Sequence, residues 1–563
     1  MDSPSPRGNA TWLLLVAGLG LLGVVLLALS FVAATAVAPR PTHEPRYATP
    51  SPVPTSTPTP IPSPTPTPET PTTASCEAGV PDEVCGLLRQ AVEEHPVRFA
   101  WVEEPTVADV LLARDALPEG RPFATWVYAL AAPFYTFEDE VSAADLTAAW
   151  AGEPAGPLAG RPLLVSPDTP DLLGLGEPAG DVRVVDPAEL LAQAIALDGW
   201  AIVPFHRLEP RWKVLRIDGV SPLHRELDLE SYPLVATFHL VADDGPDVLD
   251  LLPLAGTNRD PDKMSVVMMT GTTALTRATA LVMEREGVTF PGRDIREWMI
   301  EPDITHISNE VPFTEDCPPP TGESTLVFCS HPRYIELLHY VGVDVVELTG
   351  NHVLDWGVSA MENSLRLFEE HDLLTFGGGW NIPDAQAPLT LTHGVHTFGF
   401  IGCNPTNALG EWATADRPGA APCDFDLMRA EIGDMRERGV IPIVTFQHWE
   451  FDQYAPREVL RNDFRAMAEA GAAIVSGSQA HWPQGFEFHA GAFIHYGLGN
   501  LFFDQMQRLE YRQQFLDRHV FYDGRHISTE LLTAMLEDYA RPRPMTPEER
   551  RVLLEATFAV SGW

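Results

Sequence analysis

The chain has no long basic run, and its 563 residues carry a formal net charge of −41. Phosphate backbones are held by clustered Lys and Arg, so nucleic acid is excluded as a partner. Docking on anionic lipid headgroups is disfavoured for the same reason. The acidity fits an exposed, well-solvated ectodomain. None of the six cysteines forms a Cys-x-x-Cys pair, which argues against a zinc knuckle. They fall instead as near neighbours: Cys76 with Cys85, Cys317 with Cys329, and Cys403 with Cys423. An even count in local pairs behind an export signal predicts three disulfides.

That export signal is the run 12–38, which is almost entirely apolar and holds no charge. A span of ~20 residues crosses the hydrocarbon core, whereas a signal-peptide core takes only ~7–15. Ala36-Val37-Ala38 has the small-residue form of a cleavage site, but Pro39 follows the cut and opposes it. Cleavage after Ala36 stays open, and the favoured reading is an uncleaved single-pass transmembrane anchor. The head 1–11 is too short to be a domain, which places the large C-terminal part outside the cytoplasm. Segment 39–75 is a Pro/Thr/Ser tract that cannot bury a core and reads as an extended polyproline-like stalk.

Residues 76–255 mix helical stretches (84–94, 187–197) with short strand-like runs (98–102, 126–130, 200–203). Strand, loop and helix follow one another from Tyr128 to Trp150, and Tyr232-Pro233-Leu234 comes near the end. This order of elements resembles the periplasmic solute-binding fold of the phosphate-binding type. No Gly-Ser-Thr-type phosphate loop stands out, so no ligand is assigned. Residues 262–563 alternate apolar strand patterns (264–269, 325–328, 343–348, 396–401, 441–446, 473–476, 492–496) with amphipathic stretches (333–341, 359–371, 423–438, 458–470). The alternation predicts a layered α/β domain. The expected class is thus α/β throughout, a smaller domain followed by a larger one.

Polar motifs close the strands of the second region. They are Thr270-Gly271-Thr272, Ser308-Asn309-Glu310, Thr349-Gly350-Asn351-His352 with Asp355, Phe446-Gln447-His448-Trp449, and Ser476-Gly477-Ser478-Gln479-Ala480-His481. Tyr496-Gly497-Leu498-Gly499-Asn500 follows, ending at Asp504. Ligands gather at the carboxyl edge of sheets in α/β folds. Imidazole, amide and carboxylate together suit a divalent metal.

In this order the motifs resemble the CapA family of poly-γ-glutamate capsule biosynthesis proteins, which look like calcineurin-type metallophosphatases. The resemblance covers roughly 264–504. It implies a metallophosphatase-like domain and a role in poly-γ-glutamate or capsule biosynthesis or export. It also implies a divalent metal (Mn, Fe or Zn), with Glu310, Asn351, His352, His448 and His481 as ligands and His352 and His448 as catalytic groups. Thr272, Asp355, Asp452, Gln479 and Asn500 would support the site, and Asp452 or Glu450 could stand in as a ligand.

Departures from the family pattern weigh against a two-metal centre. Thr272 stands where the family has a metal-binding Asp, and Ser478 and Gln479 stand where it has two His. A metal pair ~3.5–4 Å apart needs charged or imidazole ligands, and the remaining set is enough for one ion but thin for two. Two readings follow: a metal-dependent phosphoesterase-like hydrolase at the cell surface, or a catalytically degenerate scaffold that binds solute, anionic polymer or a synthase component. Direct binding of an acidic polymer by so acidic a chain needs a metal bridge or a local basic cleft.

Overall fold

The computed structural model describes residues 70–114, 120–242, 249–250, 252, 256–321 and 325–563. The expected anchor 12–38 and nearly all of the stalk lie outside the described residues. Among the described residues, no helix is long and apolar enough to cross a membrane.

The first region is built on a nine-stranded mixed sheet. Its order is Phe99–Trp101, Thr72–Cys76, Val110–Ala113, Val235–Ala242, Arg121–Pro133, Trp200–Pro204, Leu163–Val165 and Val182–Val184, with Trp212–Val214 pairing alongside Arg121–Pro133. Arg121–Pro133 is buried over its last eight residues, so an unbroken apolar run is what its two covered faces require.

The second region contains two further sheets, face to face. One runs Leu374–Phe376, Val345–Glu347, Ile304–Asn309, Met264–Thr270, Gln513–Tyr522, Arg525–Glu537, Arg541–Pro544. The other runs Leu389–His393, His396–Cys403, Ile441–Phe446, Ile474–Gly477, Ala492–His495, Phe486–His489. Side chains on successive strand residues point to opposite faces, and the core clusters follow that period of two. Val267 and Met269 join Phe398, Phe400 and Ile443 between the sheets. Met268 faces outward, to Met283, Leu338, Met361 and Phe368 of the helices that cover the first sheet. On the other side, Val444 and Phe446 meet Met428, Met435, Phe464 and Met467. The result is four layers, helix on sheet on sheet on helix, as the alternating pattern predicts.

The two regions share core. Met264, Val266, Val520 and Tyr522 belong to the same buried cluster as Val127, Leu130 and Phe205. Phe134 lies edge-on to Phe486, Phe488 and Phe493, with ring centroids 5.2–5.9 Å apart. Burying such a ring contributes roughly 1.5–3 kcal/mol.

Three disulfides form in the pairs expected: Cys76–Cys85, Cys317–Cys329 and Cys403–Cys423. One expected strand is absent. Residues 325–328 form a loop, with Leu326 77% exposed. The Cys317–Cys329 bridge anchors the end of this loop, and the Phe328 N–H is donated to Asp355 Oδ2 at 2.8 Å rather than to a sheet neighbour.

Candidate functional site

Every motif singled out above lies at the carboxyl end of a strand, and the strands involved are largely parallel. Met264–Thr270 runs parallel to Ile304–Asn309, and Ile304–Asn309 to Val345–Glu347. In the other sheet His396–Cys403, Ile441–Phe446, Ile474–Gly477 and Ala492–His495 are all parallel. Parallel strands end on one edge, so their terminal side chains converge there. Close backbone approach explains the glycines. A Cβ at Gly350 would sit 2.7 Å from Glu310 Cα, and one at Gly271 only 1.9 Å from the Gly499 carbonyl oxygen.

Glu310, His352 and His481 come together at this edge. Glu310 is 1% exposed, and its Oε2 has no hydrogen-bond partner among the described residues. Burial pushes its carboxyl above the usual carboxylate range, and the nearby His481 and His352 pull only part of the way back. His352 Nδ1 lies 2.6 Å from Asp355 Oδ2, and its ring packs 4.2 Å from that of Phe328. Burial alone would lower the His352 imidazole, but the bond to Asp355 and the nearby Glu310 and Glu450 outweigh it, and the net shift is upward. His481 Nδ1 lies 2.7 Å from Asn500 Oδ1. Because that oxygen can only accept, the ring donates from Nδ1, which leaves Nε2 for other partners. Glu450 Oε1 stands 3.8 Å from that Nε2 and accepts from Gln479 Nε2 at 2.6 Å. Gln479 Oε1 has no partner among the described residues. Each histidine is thus fixed through Nδ1, His352 by Asp355 and His481 by Asn500.

Other expected site residues are engaged elsewhere. His448 Nε2 pairs with Asp463 Oδ2 at 2.8 Å, and its Nδ1 accepts the Trp449 N–H at 2.9 Å, so both ring nitrogens are used. Thr272 donates its hydroxyl to the Ser478 carbonyl at 2.7 Å. Ser478 in turn donates to the buried Glu347 at 2.8 Å. Asn351 Oδ1 meets Gln447 Nε2 at 3.4 Å. Asp452 is drawn away to the Tyr511 hydroxyl at 2.7 Å. Asp504 accepts both Arg277 and the Ala278 N–H, which fixes the wall of the cleft beside Phe328 and Phe503.

The donor chemistry does not fit a metal centre. The position expected to carry a metal-binding carboxylate holds a hydroxyl already committed to a carbonyl, and His448 has no nitrogen left to ligate. Among the described residues no group of three or more His, Cys, Asp or Glu is arranged to hold a metal ion. Sequence reasoning did not single out Asp463, Glu347 or Arg277. Only Arg277, directly after Thr276 and close to Thr270-Gly271-Thr272, lies near a motif. Asp463 and Glu347 sit within a helix and a strand, where nothing local marks them.

Comparison with known proteins agrees with the order of motifs. Residues 266–505 match the family described as "Bacterial capsule synthesis protein PGA_cap". The chain is 30% identical over 175 residues to the PGA biosynthesis protein CapA of Bacillus subtilis, covering 30% of this chain and 45% of that one. It is 24% identical over 256 residues to the capsule biosynthesis protein CapA of Bacillus anthracis, covering 44% and 62%. The matches thus span about half the length of these curated relatives. Among solved structures, a 5'-nucleotidase precursor from Thermus thermophilus aligns at 13% identity and a TM-score of 0.32, over 53% of this chain and 58% of that one. A likeness at that level carries no argument about activity. Residues 266–505 thus match the bacterial capsule synthesis protein family, and the CapA proteins of two Bacillus species are among the relatives they resemble.

Proposed function

We propose that the chain serves in the synthesis or export of a capsule polymer of the poly-γ-glutamate kind, with the strand-end cleft around Glu310 as its working site. One observation carries this reading beyond the family match. A fully buried carboxylate with an unsatisfied oxygen stands beside two histidines, each held by a partner through Nδ1. Leaving such a group unpaired costs about 1–3 kcal/mol, which a bound ligand or proton partner at Glu310 would offset. A raised carboxyl beside oriented imidazoles suits holding and moving a proton at Glu310 Oε2.

The alternative is metal-dependent, phosphoesterase-like hydrolysis on a metallophosphatase-like fold. The four-layer architecture favours it, and the spent donors at Thr272, Ser478 and His448 oppose it. The chain would work outside the cytoplasm, anchored through 12–38. Three disulfides support an oxidising compartment. Its partners would be the membrane, the polymer and components of the polymer synthase.

The test is complementation. In a strain deleted for this protein, the wild-type chain restores cell-bound polyglutamate and Glu310→Gln does not. Full polymer from Glu310→Gln, at equal protein level, overturns the assignment of the site.

A further inference from the structure

A second cleft lies far from the motifs, at the seam between the two regions. It encloses about 830 Å³, within the range of a small-molecule or oligomer site. Its walls come from both regions, through the segments near Phe134, Arg161 and Lys213 on one side and the hairpin Gln513–Glu537 with helix Pro547–Ser561 on the other.

The charge of this cleft is opposite to that of the chain. Arg161, Lys213, Arg216, Arg550 and Arg551 line it, against Glu138, Asp139 and Glu530. That is five cations to three anions, in a chain with 37 cations to 78 anions. The sequence contains only two lysines, Lys213 and Lys263, and Lys213 is the one buried here, with 14% of its side chain exposed.

Part of this charge is structural. Asp139 is shared by Lys213 at 2.7 Å and by Arg550 through two bonds of 2.8 Å, a trio that ties the regions together and keeps one net positive charge. Burial lowers the Lys213 ammonium to about 8 even with Asp139 beside it. Of the cations outside the trio, Arg161 is held by the Pro157 carbonyl at 2.6 Å, by Glu138 at 3.4 Å and by Asp198 at 3.6 Å. Arg216 and Arg551 are less committed: Arg216 reaches Glu140 only at 3.4 Å, and Arg551 reaches Glu555 through Nε at 2.9 Å. A guanidinium carries five N–H donors, so most of theirs are left for a ligand. Apolar surface from Phe137, Trp298, Leu532 and Met545 alternates with these cations.

We propose that the seam cleft binds a linear polycarboxylate, its carboxylates set on the arginines and its methylenes on the aromatic and aliphatic wall. A γ-linked glutamate chain, which repeats one carboxylate and two methylenes per residue, is the case that follows if the reading of the Glu310 site is accepted. The local basic cleft that an acidic chain needs to hold an acidic polymer is thereby supplied by folding rather than by a run in the sequence.

The test is fluorescence anisotropy of a labelled γ-linked glutamate oligomer with the full chain at low salt. Wild type binds. The double variant Arg216→Glu, Arg551→Glu, which leaves the Asp139 trio intact, binds about tenfold more weakly or worse, as expected when complementary charge is reversed. Arg551 is on the exposed face of its helix, so Arg551→Gln alone keeps the fold and weakens binding by a smaller factor. Glu310→Gln binds like wild type. The proposal is overturned if wild type does not bind, if the charge-reversed variant binds equally well, or if polyphosphate of equal length competes as strongly as the unlabelled oligomer. Absent binding together with polymer loss in Glu310→Gln cells removes the seam site and leaves the capsule role. Normal polymer in those cells removes that working site whatever the seam binds.

Discussion

The two clefts are built in opposite ways. The strand-end cleft gathers carboxylates and imidazoles: Glu310, Glu450, Asp355, His352 and His481. Its parts sit in short motifs at strand ends, where the parallel topology brings them together. The seam cleft gathers arginines from segments hundreds of residues apart, and no motif marks any of them. One surface suits proton work, and the other suits an anionic chain. An acidic protein that handles an acidic polymer needs the second surface, because the first repels it.

The sharpest way to break this comparison is Glu310→Gln. Cell-bound polymer should fall by an order of magnitude or more, as when a proton-transferring group is removed. The same change removes a buried, half-satisfied carboxylate, so thermal unfolding should show a gain of about 1–2 kcal/mol. A loss of both polymer and stability would make Glu310 structural.

Next in size is Arg550→Met at the seam. It strips two bonds from Asp139 and leaves Lys213 as the partner, and urea unfolding should show a loss of about 2–3 kcal/mol. His448→Ala should behave like a structural change, lowering stability by about 1–2 kcal/mol through its lost bond to Asp463, with much of the polymer retained. Polymer loss as complete as in His352→Ala would return His448 to the working site.

The smallest effect concerns pH. Burial alone would raise Asp139, but Lys213 and Arg550 outweigh it and hold the carboxyl at about 2, below its ordinary 3.8. A depressed carboxylate adds stability that is fully present above its unfolded value and is lost as pH falls through the folded one. Wild type should therefore exceed Asp139→Asn by a margin that is fully present just above pH 4 and closes between pH 4 and 2. Asp139 is 32% exposed, so solvent screening limits that margin to about 1 kcal/mol.

Much of the strand-end cleft was legible in the sequence, because Gly350-Asn351-His352 and Ser478 to His481 each follow an apolar strand that ends at the same edge. What each side chain does there was not. That His448 spends both nitrogens depends on Asp463 within a following helix, and that Thr272 spends its hydroxyl depends on a carbonyl in the other sheet. The hairpin Gln513–Tyr522 and Arg525–Glu537 escaped notice although its turn carries a signal. Asp523 and Gly524 both have positive φ, 48° and 80°, as a two-residue hairpin loop requires. The buried Asp517, Arg518 and His519 hid the strand by breaking its apolar pattern. Their partners, His495, Glu301 with Glu530, and Thr529, are supplied only by the fold. Residues 325–328 show the reverse error: an apolar run that lies in a loop, where Phe328 packs on His352.

The most direct test of the strand-end assignment is the metal content of the full chain after incubation with Mn, Fe and Zn and removal of excess ion. Spent donors at Thr272, Ser478 and His448 predict less than about a tenth of an equivalent, with no change in His352→Ala. About one or two equivalents, lost in His352→Ala, would contradict this and restore a metal-dependent hydrolase.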